Sequence, residues 1–171
     1  PQGYDLERSR AHKVRISKAY IEITNRCNLN CTTCYNRSGL NTVTREIGVT
    51  ELERMITTFM SYGAKRILIS GGEPTLHSEF EKIAALPSRY PQLSFGVTTN
   101  GTTAAARTVL APAIKSQENM TLQISLDGSS EETNALTRGR GNFEKAVEFA
   151  RSVSDSPAEK RLKMVVSRGN L

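Results

Sequence analysis

Two hydrophobic rhythms alternate along the chain. Ala19-Tyr-Ile-Glu-Ile-Thr24 switches between apolar and polar residues and is rich in β-branched types, which predicts a strand. Leu52, Met55, Ile56 and Phe59 recur at helical spacing. Thr50-Glu-Leu-Glu53 reads as a capping box before them, and Gly63 stands just past their end. Arg66-Ile-Leu-Ile-Ser70 is a short unbroken apolar run, as a buried parallel strand should be. A second capping box, Ser78-Glu-Phe-Glu81, predicts a short helix that ends near Pro87. Strand three is expected over Leu93–Thr98, then an alanine-rich helix over Ala104–Lys115 that Pro112 kinks or interrupts. Thr121–Leu126 alternates again as strand four. Asn142 can cap a helix that turns Phe143, Ala146, Val147 and Ala150 inward, and Leu162–Val166 makes strand five.

Regular strand–helix alternation implies right-handed crossovers and a parallel sheet with helices outside. The expected fold is α/β, an open or partial (β/α) barrel of five parallel strands. Such folds build their active sites from the loops at the C-terminal ends of the strands. Each of the first four loops carries something unusual: three cysteines, then Gly71-Gly72-Glu73-Pro74, then Thr98-Thr-Asn100-Gly101, then Ser125-Leu-Asp-Gly128. All four converge on one rim.

Cys27, Cys31 and Cys34 are the only cysteines and sit within eight residues. Three thiolates on a short loop suit a cuboidal iron–sulfur cluster and leave one iron open for a ligand. A disulfide framework is disfavoured by the odd number and tight spacing. A zinc site stays open at this point, with His12 or His77 to complete it. Gly71 and Gly72 would let backbone groups approach a ligand closely, or would merely form a strand-to-helix turn. The formal charge of +6 is spread out, with a loose concentration at Arg8, Arg10, Lys13, Arg15 and Lys18. No aromatic residues interleave with it, so no nucleic-acid partner is expected, although an anionic substrate or partner stays open. No apolar run reaches membrane-spanning length, and clustered free thiols suit the cytoplasm.

C-x3-C-x2-C followed some forty residues later by Ser70-Gly-Gly-Glu-Pro74 resembles the radical S-adenosylmethionine (SAM) superfamily. The resemblance implies a [4Fe-4S] cluster on Cys27, Cys31 and Cys34, its fourth iron chelated by the amino and carboxylate groups of SAM. An electron from an external one-electron donor would then cleave SAM to methionine and a 5′-deoxyadenosyl radical, which takes a hydrogen atom from substrate. It also implies that Gly71, Gly72, Glu73 and Pro74 hold the SAM amino group. Thr98 and Asn100 would lie near the ribose, Ser125 at the ribose or carboxylate, and Arg138 of Thr137-Arg-Gly139 on the carboxylate. Val165, Val166 and Asn170 would flank the adenine. One departure concerns that adenine: the usual aromatic before the third cysteine is Thr33 here, and Tyr35 follows the cysteine instead.

The stretch Asn134–Glu144 is similar to the peptide-modifying SPASM or twitch branch, which implies a peptide, protein or small-molecule substrate. Cyclic-pterin synthesis for the molybdenum cofactor is the alternative enzyme reading, and a non-catalytic metal- or cluster-binding module is a third. By this resemblance residues 18–171 form the core and 1–17 an extension. Because such cores usually have six strands, the core is expected to be incomplete at its C-terminus, with substrate turnover needing residues beyond Leu171.

Overall fold

A computed structural model describes residues 15–170. Five parallel strands form one sheet in sequence order: β1 (Lys18–Glu22), β2 (Arg66–Ser70), β3 (Ser94–Thr99), β4 (Met120–Ser125) and β5 (Glu159–Lys163). The crossovers carry α1 (Val49–Ser61), α2 (Phe80–Ala84), α3 (Leu86–Arg89), α4 (Ala111–Ser116), α5 (Glu131–Arg138) and α6 (Phe143–Ser152). A strand order without reversal has no switch point, so right-handed crossovers put the core-forming helices on the same face, while α5 gives no residue to that core and stands at the rim. Ala19 and Ile21, Ile67 and Ile69, and Met120, Leu122 and Ile124 pack there against Leu52, Ile56, Leu110, Ile114 and Phe149. The other face stays open, and Tyr20, Leu68, Thr98 and Gln123 line a cavity on it. This is the partial barrel that the alternation predicts.

β2 has the bounds expected of it, and Gly63 closes α1 with φ of 94°, a conformation that favours glycine. Other local expectations give way to tertiary contacts. Neither capping box forms. Gly48 stands at the N-cap of α1, with Thr50 already inside the helix. Glu79 precedes α2, while the Ser78 hydroxyl donates to Glu46 Oε2 at 2.6 Å. The short helix does end near Pro87, at Ala84, and Pro87 itself falls in the first turn of the separate α3, where a missing N–H is harmless. A π-type turn over Ala106–Leu110 runs directly into α4, so the irregularity expected from Pro112 is present.

α5 has no counterpart in the apolar pattern; Ser130 and Thr133 cap it reciprocally. Asn142 precedes α6 but turns its amide to the carbonyls of Arg138, Gly139 and Arg140 instead of capping. β5 begins three residues earlier than Leu162, in register with β4 from Thr121↔Glu159 to Ser125↔Lys163. β4 has no more residues to pair beyond that point. Met164, Val165 and Val166 therefore leave the ladder and are exposed. Within the segment 1–17, residues 1–14, including His12, lie outside the described residues. The Ile16 N–H donates to Tyr62 O and the Ser17 carbonyl accepts from Lys65 N, which ties 16–17 to the turn between α1 and β2.

Candidate functional site

The cavity on the open face runs from the first strand residues Lys18, Arg66 and Glu159 to the loops at the C-terminal ends of the strands and holds about 420 Å³. Cys27, Cys31, Cys34, Gly71, Gly72, Glu73, Thr98, Asn100, Ser125 and Arg138 all line it, as do Thr33, Tyr35 and Val165. Pro74 does not; it is buried as the first residue of a short 3-10 turn, Pro74–Leu76. Val166 and Asn170 also stand outside the lining. A second groove of about 540 Å³ lies between the exit of β1 and residues 36–47 and has none of the cysteines in its wall.

The two glycines of the β2 loop make their close approach to the chain itself. A β-carbon on Gly72 would stand 2.2 Å from Arg26 O, and one on Gly71 would stand 2.3 Å from Thr24 O. The N–H groups of Gly72 and Glu73 donate to those carbonyls, Thr24 O at 2.8 Å and Arg26 O at 2.7 Å. The pair thus clamps the β2 loop onto the entry of the cysteine loop. Only glycine lets two backbones come so near.

Glu73 is a buried strut. Its Oε1 accepts from Thr75 N, Thr75 Oγ1 and Thr99 Oγ1, and its Oε2 accepts from Asn100 N at 2.7 Å. Burial pushes its carboxyl above the usual range, and these four donors pull in the opposite direction. The Thr75 hydroxyl in turn meets Thr103 Oγ1 at 2.7 Å, so the loops after β2 and β3 are locked together. Asn100 reaches the cysteine loop: its Nδ2 donates to Asn28 Oδ1 at 3.0 Å, and Asn28 Nδ2 donates to Thr102 Oγ1 at 2.8 Å. Thr98 accepts from Gln123 Nε2, while the Ser125 hydroxyl has no hydrogen-bond partner among the described residues.

On the far side, the fully buried Asp127 joins the β4 loop to α5 and to the chain after β5. Thr137 Oγ1 donates to its Oδ2 and Val165 N to its Oδ1, both at 2.9 Å. Arg138 Nε lies 2.8 Å from Oδ2 in an ion pair, but its N–H is not aimed at the oxygen and stays unpartnered. Thr137 O accepts from Thr32 N, between the cysteines, at 2.8 Å. Asn28, Thr32, Thr99 and Asp127 escape a reading of the sequence alone. Each works through a partner distant in the chain, as in the Asn28–Thr102 bond across 74 positions. The visible clues are the runs that hold two of them, Thr98-Thr99-Asn100 and Ser125-Leu-Asp127.

His77 is excluded as a fourth zinc ligand. It is buried with Nε2 against Ile47 O at 3.0 Å, and its Nδ1 accepts from Glu79 N. This arrangement puts the proton on Nε2. Among the described residues, no three His, Cys, Asp or Glu side chains stand close enough to grip a single ion. Three thiolates on different corners of a cube need not stand so close. All three thiols are free, partly exposed and open on the same cavity, which fits a thiolate-bound cluster. Burial pushes the Cys27 thiol up to about 11 and also raises Cys31, where the nearby Arg138 charge opposes the shift.

Fold and rim together define a parallel α/β partial barrel that presents three free thiols, a carboxylate strut and a guanidinium to one cavity. A model of the radical SAM superfamily matches residues 21–166, and the chain belongs to that superfamily. Its cofactors are therefore a [4Fe-4S] cluster and SAM. The chain is 36% identical over 164 residues to a probable GTP 3′,8-cyclase of Methanocella arvoryzae, a match covering 93% of this chain and 50% of that protein. It is 30% identical over 157 residues to the mycofactocin maturase MftC of Mycolicibacterium smegmatis, covering 88% and 38%. The crystal structure of SuiB from Streptococcus suis bound to S-adenosylmethionine superposes with a TM-score of 0.82 at 16% identity, over 95% of this chain and 37% of that one. The chain thus spans half or less of the length of each of these proteins. No helix among the described residues is long and apolar enough to cross a membrane.

Proposed function

We propose that this chain holds a [4Fe-4S] cluster on Cys27, Cys31 and Cys34 and binds SAM across the rim, as the catalytic core of an enzyme that modifies a peptide or protein. When bound, the cluster and SAM supply a one-electron cleavage that yields a radical able to take hydrogen from substrate; the electron comes from an external donor. The residues of the chain bind and orient. Gly71, Gly72 and Glu73 offer carbonyl and carboxylate acceptors to the SAM amino group, with Pro74 stiffening the turn below them. Arg138 presents a planar set of donors suited to a carboxylate. Ser125 offers a free hydroxyl beside it, while Thr98 and Asn100 form the wall between. Val165 and Tyr35 are among the apolar and aromatic surfaces available to the adenine where Thr33 supplies none.

The observation that carries this reading is the convergence of the three cysteines, the Gly-Gly-Glu turn, Ser125 and Arg138 on one cavity. A peptide substrate is supported by the likeness to the maturase MftC and by a fold shared with SuiB, whose structure with the precursor peptide SuiA superposes with a TM-score of 0.79. GTP 3′,8-cyclase chemistry is the second reading, favoured by the 36% identity to the Methanocella protein. Anaerobic reconstitution followed by reductant and SAM tests the common core. Release of 5′-deoxyadenosine is expected, and it should disappear in a Cys31→Ala variant. Formation of 5′-deoxyadenosine by that variant at the wild-type rate would sink the assignment. GTP as an added substrate then separates the readings, since it should leave the yield unchanged if the substrate is a peptide.

A further inference from the structure

The guanidinium that faces the cavity from the end of α5 is held by a buried anion whose remaining bonds reach two other parts of the rim. Arg138 approaches Asp127 through Nε at 2.8 Å; its terminal amino groups make no hydrogen bond to the described residues and are not among the buried orphan atoms. Its side chain is 13% exposed, so Asp127 is the counter-charge that makes its position tolerable. The same carboxylate receives Val165 N on its other oxygen, and the Asp127 carbonyl accepts from Asn170 Nδ2 at 2.8 Å. Asn170 Nδ2 also donates to Val165 O at 2.8 Å, closing the exit of β5 onto the same residue. The Asp127 N–H donates to Asn134 Oδ1 at 2.9 Å, which anchors this hub to α5. Gly128 permits the docking, since a β-carbon there would lie 2.3 Å from Thr133 Oγ1.

We propose that Asp127 is a positioning residue for SAM. It sets Arg138 with its free amino groups toward the cavity and fixes Val165 beside it, so that the carboxylate subsite and the wall beyond it are held as one unit. The proposal rests on SAM occupying this rim. Asp127 touches the ligand through no atom of its own; it acts through Arg138 and through the backbone of Val165. A purely structural clamp would make a different prediction, because its loss would weaken binding whether or not Arg138 were present.

A double-mutant cycle on SAM affinity separates the two. In reconstituted protein of equal iron content, Asp127→Asn should weaken SAM binding about tenfold, the typical effect of a misplaced charge-assisted hydrogen bond. In an Arg138→Ala background the same change should cost less than about twofold, within the spread of independent sites. Equal losses in both backgrounds, or an unchanged affinity in the single variant, would overturn the proposal. Thr137→Val removes one bond to the same oxygen with little change of shape and serves if Asp127→Asn does not fold; its loss should also vanish without Arg138, and persistence there would count against Asp127. Amide exchange at Val165 in cluster-free, SAM-free protein gives a readout independent of the loaded enzyme. Asp127→Ala should raise it at least about tenfold if a protecting bond is lost, and unchanged exchange would remove the link to β5. A wild-type protein that binds no SAM would remove the functional reading itself, whereas intact wild-type binding with additive losses would remove this proposal alone.

Discussion

At the scale of single residues, the rim is built less from groups that await a ligand than from groups that hold one another. Gly72 shows the difference most plainly. Its lack of a side chain is required by Arg26 O, so substitution should act first on the cysteine loop and only then on SAM. Gly72→Ala is expected to lower the iron bound after reconstitution, whereas Gly48→Ala, where an added β-carbon meets nothing within 4 Å, should not. Equal iron in both variants would show that the loop tolerates the displacement. Glu73 is a comparable case. Glu73→Gln places an amide among four donors, leaving at least one N–H or O–H facing another donor. That should destabilise the fold by about 1–3 kcal/mol, the usual cost of an unsatisfied buried polar group. Denaturant unfolding at neutral pH would measure it, and an unchanged midpoint would mean that the network rearranges. The motif made these residues visible in the sequence, but their partners were not, because a hydrogen bond across tens of positions leaves no periodic trace.

At the scale of elements, what could be read depended on whether local preference or neighbouring structure decided the outcome. β2 is central and buried on its helix-facing side, so its apolar run alone marks its limits. β5 is an edge strand of mostly exposed residues, and its limits come from the length of β4 and from Asp127 taking the Val165 N–H. Its apolar tail therefore misleads. The unformed capping boxes tell the same story, since the Ser78 N–H and hydroxyl both donate to Glu46 Oε2, and Glu46 takes the place that Glu81 would have as acceptor for that N–H. Glu46 also accepts from Thr24 Oγ1 and lies 3.8 Å from Arg26 Nη1, so it fastens the loop before α1 to both β1 and the β2 loop. Burial alone would raise its carboxyl, but the Ser78 bonds, helped by His77 and the Thr24 bond, together outweigh this and hold it below the usual range. A carboxylate with a depressed folded-state pKa adds stability that is fully present above its unfolded value, about 4.3, and is lost as the pH falls through the folded value. Glu46→Gln should therefore flatten part of the acid limb of the stability–pH curve. An unaltered limb would mean that Glu46 titrates alike in folded and unfolded chains.

At the scale of the whole molecule, the apolar core and the chemical rim are separate constructions. The main buried cluster runs from Ala19 to Ala158 between the sheet and its helices, and it takes no residue from the stretch between Thr24 and Glu46. The cysteine loop is attached to that body by polar bonds from Thr24, Asn28 and Thr32. Folding should therefore not require the cluster, unlike small metal-organised domains that unfold without their ion. A variant with Cys27, Cys31 and Cys34 all changed to alanine should keep the circular dichroism of the wild-type apo-protein. Its melting temperature should shift by no more than about 2 °C, since partly exposed substitutions outside a core usually stay within about 0.5 kcal/mol. The same variant should lose the iron–sulfur absorbance and the ability to cleave SAM together. A variant that unfolds would show that the thiols carry the body of the protein. A variant that still binds four irons would place the cluster on other residues. The expected pairing of an intact fold with an empty rim follows from where the chain puts its apolar residues and where it puts its sulfur.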